Sequence, residues 1–452
     1  MSAERKSRPS CAGMARICYV VCLCLATPWV CLRLLWRGMR QPAYLRHWGE
    51  RWGFYSRSSC DPASPPAAPR IWLHAVSVGE TRAAEPLVRA LLAALPECRL
   101  LLTAMTPTGR ETARLLYGDD PRIQRLYLPY DVPGAVARFL DHFRPAAGIL
   151  METEIWPNLM FAARRRHLPM FLVNARLSRR SARGYARFGA LTRPALASLA
   201  AVAAQTRSDA RRLMALGAQR VTVCGNLKFD VAPDAALLDL GDAWRAHVGA
   251  RFVWLAASTR AGEEDLLLDI LRRLHLHHPE ILLVLVPRHP ERFLAVAGAI
   301  RAQGFSCQRR SQGLPEPENA VWLGDSMGEM PAYYRLADVA FIGGSLLPLG
   351  GQNLIEAAAC GCPALVGPHT FNFAEASQSA ISQGAARRIA DADALLEALR
   401  ELAAAPAARE AMRHAGLAFA ARHRGATKRI MRILAHAGIG HPAPNATPDA
   451  DA

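Results

Sequence analysis

Four residues of this chain are placed to do chemistry, each just beyond an apolar run of strand length. Glu80 closes Ser77-Val78-Gly79-Glu80 after the run Ile71–Val76. Glu152 and Glu154 follow Gly148–Met151, and Lys228 follows Val221–Cys224 within Gly225-Asn226-Leu227-Lys228-Phe229-Asp230. Open α/β sheets bind ligands at the carboxyl ends of their strands. A carboxylate there can take a proton from a hydroxyl as a new bond forms, and an ammonium can offset charge building on a departing group. Plainer readings stand beside these. Glu80 also suits the first turn of a helix, where the macrodipole favours an acid. One of Glu152 and Glu154 can serve the helix entered through Trp156-Pro157. Lys228 reads as a solvated lysine were it not for its neighbours Leu227 and Phe229. Lysine is rare here: the others are Lys6 and Lys428, and the remaining basic residues are arginine.

A second group of residues suits anion or nucleotide binding. Pro287-Arg288 closes the run Ile281–Val286, and an arginine there can grip a phosphate or carboxylate in bidentate fashion or pair with an acid. Met327-Gly328-Glu329 is expected to open a helix with free backbone N–H groups. Gly343-Gly344-Ser345 ends Val339–Ile342 and leaves room for a ligand against the backbone. Asn353-Leu354-Ile355-Glu356 begins a helix toward Cys360; its start suits a phosphate and Glu356 suits ribose hydroxyls, while an ordinary capped helix start fits as well. Gly367-Pro368-His369-Thr370-Phe371-Asn372-Phe373 completes the set. His275, His277 and His278 precede Pro279 at a helix end, where imidazole caps carbonyls. No Asp-x-Asp motif accompanies a nucleotide site, so no metal and no cofactor are predicted.

The elements carrying these residues alternate. Strand candidates Ile71–Val76, Leu100–Met105, Gly148–Met151, Met170–Asn174, Val202–Gln205 and Val221–Cys224 are separated by Ala/Leu/Arg-rich helical stretches. This is a βαβ series and predicts a parallel sheet covered on both faces. Val231 to Gly249 breaks the rhythm. A second series follows with Phe252–Ala257, Ile281–Val286, Ala320–Leu323, Val339–Ile342 and Ala364–Val366. Ser56 to Arg70 reads as a linker and Gly440 to Ala452 as a disordered tail. The predicted organisation is an anchor over 1–40, an N-terminal Rossmann-like domain over 41–235, a C-terminal one over 236–435, and a tail over 436–452.

The 452 residues are too many for one ordinary domain. Hydrophobic residues at 51% supply a large core, and with aromatics at 7% it must be filled by Ala, Leu and Val. The net charge of +17 attracts anionic surfaces or phosphorylated ligands. Neither zinc-finger spacing nor a basic run interleaved with aromatics accompanies it, which argues against a nucleic-acid partner. The 11 cysteines contain no Cys-x-x-Cys pair and read as reduced thiols. Ile17 to Leu32 is free of charge and reaches about 24 Å as a helix, against a hydrocarbon core of ~30 Å. Arg33, Arg37 and Arg40 follow it, where a signal-peptidase site would need small residues. An uncleaved anchor is predicted, with the following chain kept on the cytoplasmic side.

In their order, His74–Glu80, Met151–Asn158, Pro287–Arg292, Gly350–Glu356 and Gly367–Phe373 resemble the 3-deoxy-D-manno-octulosonic acid (Kdo) transferases, which build the inner core of lipopolysaccharide. The resemblance runs from about Ala43 to about Gly425. It implies a glycosyltransferase B architecture, two Rossmann-like domains facing a cleft, on the cytoplasmic face of the inner membrane. It also implies Glu80 as general base, with Glu152 and Lys228 stabilising the transition state. CMP-Kdo would be bound through Pro287, Arg288, Met327, Gly328, Glu329, Asn353, Leu354, Ile355 and Glu356. The acceptor would be the phosphorylated lipid A precursor, lipid IVA, attacked with inversion. Family members often read Gly-His-Asn-Pro-Leu-Glu where this chain has Gln352 for the His and Leu354 for the Pro. That departure removes any acid–base role at Gln352. Another B-type glycosyltransferase with a different nucleotide sugar, or a non-catalytic lipid-binding relic of the fold, fits the pattern with fewer of its details explained.

Overall fold

A computed structural model describes residues 11–56 and 69–439. Most of the predicted linker and the tail from Gly440 lie outside the described residues. The chain forms two compact units, Met1–Val231 with Gly425–Ala452, and Ala232–Arg424.

In the first unit the strands are β1 (Arg70–His74), β2 (Arg99–Ala104), β3 (Ile123–Tyr127), β4 (Ala147–Met151), β5 (Met170–Ala175), β6 (Ala201–Ala204) and β7 (Val221–Val223). They pair in parallel in the order β3-β2-β1-β4-β5-β6-β7. The helices are α1 (Cys11–Arg40), α2 (Val78–Ala94), α3 (Pro107–Tyr117), α4 (Pro133–Phe143), α5 (Pro157–Arg165), α6 (Arg179–Arg187), α7 (Gly189–Ala197) and α8 (Arg207–Ala215). Alternation along each strand sends side chains to both faces. Trp72, Leu101, Leu150, Leu172 and Val202 pack on one side. Ile71, Leu73, Leu100, Ile149 and Val173 pack on the other.

The second unit holds α9 (Ala235–Val248), α10 (Glu263–His275), α11 (Phe293–Ala302), α12 (Met330–Leu336), α13 (Leu354–Ala359), α14 (Ala374–Ser382), α15 (Ala392–Ala404) and α16 (Pro406–His423). Its strands are β8 (Val253–Thr259), β9 (Leu282–Pro287), β10 (Cys307–Arg309), β11 (Val321–Leu323), β12 (Val339–Ile342), β13 (Ala364–Val366) and β14 (Ala386–Arg388). They too are parallel, in the order β10-β11-β9-β8-β12-β13-β14. The sequence reading carried the second half to residue 435, whereas the chain rejoins the first unit at Gly425. There it forms α17 (Ala426–His436), whose Ala426, Ile430 and Leu434, one turn apart, are fully buried against the Ile71 side of the first sheet. Asp230 fixes the start of α17 by accepting from the backbone N–H groups of Gly425 (2.6 Å) and Thr427 (2.5 Å). The Arg429 guanidinium donates to the Cys224 carbonyl at 2.8 Å. Ile430→Ala is expected to cost about 2–5 kcal/mol, the range for truncating a buried aliphatic side chain. Urea unfolding checks this; an unchanged midpoint would show that α17 is not part of the first core.

Helix α1 is long and apolar enough to cross a membrane by length and composition: Ala12–Arg40 has a window of mean hydropathy 2.0. Its body nevertheless touches the first unit. Arg16 Nε donates to Asn158 Oδ1 (3.2 Å), and its guanidinium lies 3.3 Å from the centre of the Phe161 ring. The Tyr19 hydroxyl donates to Asp131 at 3.0 Å. Asp131 is itself buried and accepts from the backbone N–H groups of Asn158 and Leu159.

Candidate active site

In the first sheet the chain reverses direction between β1 and β4, which lie side by side, so their carboxyl ends form the switch point where such sheets bind ligands. Glu80 follows β1 in the first turn of α2. Its Oε2 accepts from the Val76 backbone N–H at 2.8 Å and its Oε1 from the Ser77 hydroxyl at 3.2 Å. The helix-start reading and the chemical reading of Glu80 thus meet in one geometry: the bonds that close the helix also fix the carboxylate. Burial raises its carboxyl pKa to about 7, and the neighbouring Glu152 carboxylate pushes the same way.

Glu152 follows β4 with a left-handed backbone (φ 56°), an unfavourable conformation for a residue with a side chain. Its backbone N–H donates to the Val173 carbonyl at 3.0 Å. Glu154 caps no backbone N–H of α5, whose start has no side-chain cap; it accepts from the Trp156 indole N–H at 2.9 Å. Burial raises its pKa as well.

Lys228 sits on a single 3-10 turn, Leu227–Phe229, whose flanking Leu227 and Phe229 are buried. Asn174, at the end of β5, accepts from the Leu227 N–H at 3.0 Å, and Asn226 accepts from the Lys228 N–H at 3.0 Å. Burial lowers the Lys228 pKa and Arg176 adds to that, while Glu152 and Glu80 hold the charge on. These mutual effects place Glu80, Glu152 and Lys228 in one electrostatic neighbourhood although they lie on three separate segments. Sequence reasoning passed over Ser77 and Arg176 as parts of it. His74, also in the first motif, is fully buried with Nδ1 against Thr103 (2.9 Å to Oγ1), and burial lowers its pKa to about 4, so it stays neutral.

The second sheet has its switch point between β8 and β12. Glycines pack the loops there. A Cβ on Gly343 would meet the Ser258 carbonyl oxygen at 2.6 Å, and one on Gly367 the Ser345 carbonyl oxygen at 2.2 Å. The Gly350-Gly351 pair has φ of 94° and 72°, and Gly351 N–H donates to the Gly344 carbonyl at 2.6 Å. Buried Glu263 ties the cluster together, accepting from the N–H groups of Gly344 (2.6 Å), Arg260 (3.0 Å) and Leu346 (3.2 Å). An acid after Gly262 in a run of three reads in sequence as an ordinary first turn, so Glu263 was missed.

Around this cluster stand the residues expected to take the nucleotide. Pro287 ends β9, and the Arg288 backbone N–H donates to the Thr259 carbonyl at 3.0 Å. Met327 and Gly328 are exposed in a loop. Glu329, expected inside a helix start, precedes α12 and pairs with Arg310 at 2.9 Å. Asn353 caps α13, accepting from the Ile355 N–H at 3.2 Å, with Glu356 in the first turn. Leu354 and Ile355 are 1% exposed, so their side chains belong to the core and only their backbone faces other uses.

Two parallel seven-stranded sheets with helices, each presenting its loops at a switch point, form the architecture found in B-type glycosyltransferases. The family described as 3-Deoxy-D-manno-octulosonic-acid transferase (kdotransferase) matches residues 46–231, and Glycosyl transferases group 1 matches 255–418. The 3-deoxy-D-manno-octulosonic acid transferase of Bordetella pertussis is 45% identical over 415 residues, covering 89% of this chain and 95% of that protein. The Haemophilus influenzae protein of the same name is 37% identical over 429 residues, covering 93% and 98%. The chain belongs to the Kdo transferase family and is a glycosyltransferase. Among solved structures, the UDP-GlcNAc 2-epimerase from Neisseria meningitidis bound to UDP-GlcNAc shares the fold, with a TM-score of 0.58 at 17% identity, covering 81% of this chain and 100% of that one.

Proposed function

We propose that this enzyme transfers Kdo from CMP-Kdo to the phosphorylated lipid A precursor, lipid IVA, at the cytoplasmic face of the inner membrane. The observation that carries the reading is that Glu80 and Glu152 follow the two strands of the first sheet's switch point and act electrostatically on Lys228, in a chain of the Kdo transferase family. Glu80 takes the proton of the acceptor hydroxyl as its oxygen bonds to the anomeric carbon. The bond from that carbon to the CMP phosphate oxygen breaks on the opposite side, which inverts the centre, and CMP leaves with the electron pair. Lys228 balances the negative charge developing on that phosphate. Glu152 orients partners beside the base.

The donor is assigned to the second unit. Arg288 and the backbone at Met327–Glu329 and Asn353–Glu356 would hold the nucleotide, with Pro287 fixing the turn. The acceptor is assigned to the first unit, where a groove of about 630 Å³ runs between α1, α5 and α7. Val20, Met160, Phe161 and Leu191 line it together with Arg16 and Arg164, a combination suited to an acyl chain and an anionic headgroup.

The test is turnover of CMP-Kdo with tetra-acylated lipid A precursor, read by product mass, with UDP-sugars as controls. Product from CMP-Kdo alone is expected, and the mass increment counts the sugars added. A well-folded enzyme that turns over a UDP-sugar but not CMP-Kdo would overturn the donor, and one that ignores the lipid would overturn the acceptor.

A further inference from the structure

Length and composition allow α1 to cross a bilayer, yet its contacts argue for another arrangement. One stripe of the helix is the less exposed: Arg16, Tyr19, Leu23 and Thr27 are half-buried and Leu34 and Gly38 buried, at spacings of three, four or seven residues. From Arg16 to Leu34 the helix advances about 27 Å. A spanning helix would carry the Arg16 end to the far side of the membrane from the first unit. The bonds of Arg16 to Asn158 and of Tyr19 to Asp131 hold that end on the unit instead.

The opposite stripe is apolar and open. Ile17 (59% exposed), Val21, Leu25 (76%), Trp29 (61%), Leu32 and Trp36 follow one another at three- and four-residue spacing. Arg33 lies over the Trp29 ring at 5.4 Å and Arg40 over Trp36 at 4.2 Å. Tryptophan and arginine so paired suit the boundary between acyl chains and headgroups. Cys11–Arg40 contains no acid, so nothing in the helix opposes anionic lipid.

We infer that α1 lies in the plane of the membrane, its open stripe sunk into one anionic leaflet and its other stripe docked on the first unit, with both ends of the helix on the side of the catalytic domains. The folded unit here stands where an ordinary interfacial helix presents its polar face.

Two measurements test this on the full-length protein. Protease-cleavable tags are placed at the N- and C-termini, and cleavage is compared in sealed spheroplasts and inverted inner-membrane vesicles. Both tags are expected to be cut only in inverted vesicles; cutting of the N-terminal tag in spheroplasts, or its loss on maturation, overturns the inference. The Leu25→Asp/Trp29→Asp double variant alters side chains that stand open, so the fold is expected to be kept. Its partition into phosphatidylglycerol vesicles, read by flotation, is expected to fall at least tenfold, and unchanged partition overturns the lipid assignment of that stripe.

Discussion

Glu80→Gln is expected to lower kcat by about two to four orders of magnitude, the usual contribution of a general base, while the protein stays folded. The amide keeps the shape of the side chain and an oxygen to accept from Val76 or Ser77. It removes the carboxylate that, in the proposed mechanism, takes the acceptor proton. The wild type adds a signature of its own. With the carboxyl pKa raised to about 7, chiefly by burial, the base form is lost as the pH falls through that value. kcat/KM should therefore rise with pH and level off above about 7. Stability runs the other way. A carboxyl that holds its proton more tightly when folded than when unfolded makes ionisation costly to the native state, from its ordinary value of 4.5 upward. At pH 8 the glutamine variant, which cannot ionise, is thus expected to melt at a higher temperature than wild type. Loss of activity together with gain in Tm separates a missing base from a damaged fold. Near-wild-type kcat in the variant would remove Glu80 from the mechanism.

Lys228→Met is expected to reduce kcat by about two to three orders of magnitude, the scale for deleting one preorganised charge that meets a developing anion. Methionine keeps much of the aliphatic stem between buried Leu227 and Phe229. If Lys228 meets charge that grows on the leaving phosphate, as proposed, kcat and kcat/KM should fall together with little change in KM for CMP-Kdo. Lys228→Arg is not expected to restore the rate in full, since a planar guanidinium does not fill the place of a compact ammonium. Steady-state kinetics on well-folded variants decides. A raised KM with unchanged kcat would make Lys228 a ground-state binding residue.

The central strands were readable because a strand buried on both faces must be continuously apolar, as in Ile71–Leu73 and Leu282–Val286. The strands that escaped notice are β3, β10 and β14. Each lies at the edge of its sheet or pairs there, and carries arginine: Ile123-Gln124-Arg125-Leu126-Tyr127, Cys307-Gln308-Arg309 and Ala386-Arg387-Arg388. An edge strand has one open side, and charge on it discourages pairing with other chains, so it lacks the apolar signal. The positions of Glu80, Glu152 and Lys228 beyond strand ends were legible for the same reason the strands were. Their mutual electrostatics was not, because it depends on strand order, which sequence spacing does not encode. The return of α17 to the first unit was hidden for a related reason. An apolar stripe such as Ala426, Ile430 and Leu434 announces that a helix will be covered but not by which core. Leu354 and Ile355 show the converse: within a motif of nucleotide-site type, their side chains serve the packing of α13.

The clamp between Asp230 and the start of α17 has a consequence for the order in which the protein comes into being. Asp230 stands two residues from Lys228, but its partners Gly425 and Thr427 are translated some 195 residues later. The first half of the chain therefore leaves the ribosome with its lysine turn held by Asn174 and Asn226 but with Asp230 still lacking Gly425 and Thr427. It stays so while the second unit is made, and that link closes only when α17 emerges. A chain cut before Gly425 lacks both backbone partners of Asp230, so this link beside the lysine turn waits until the second unit has been made.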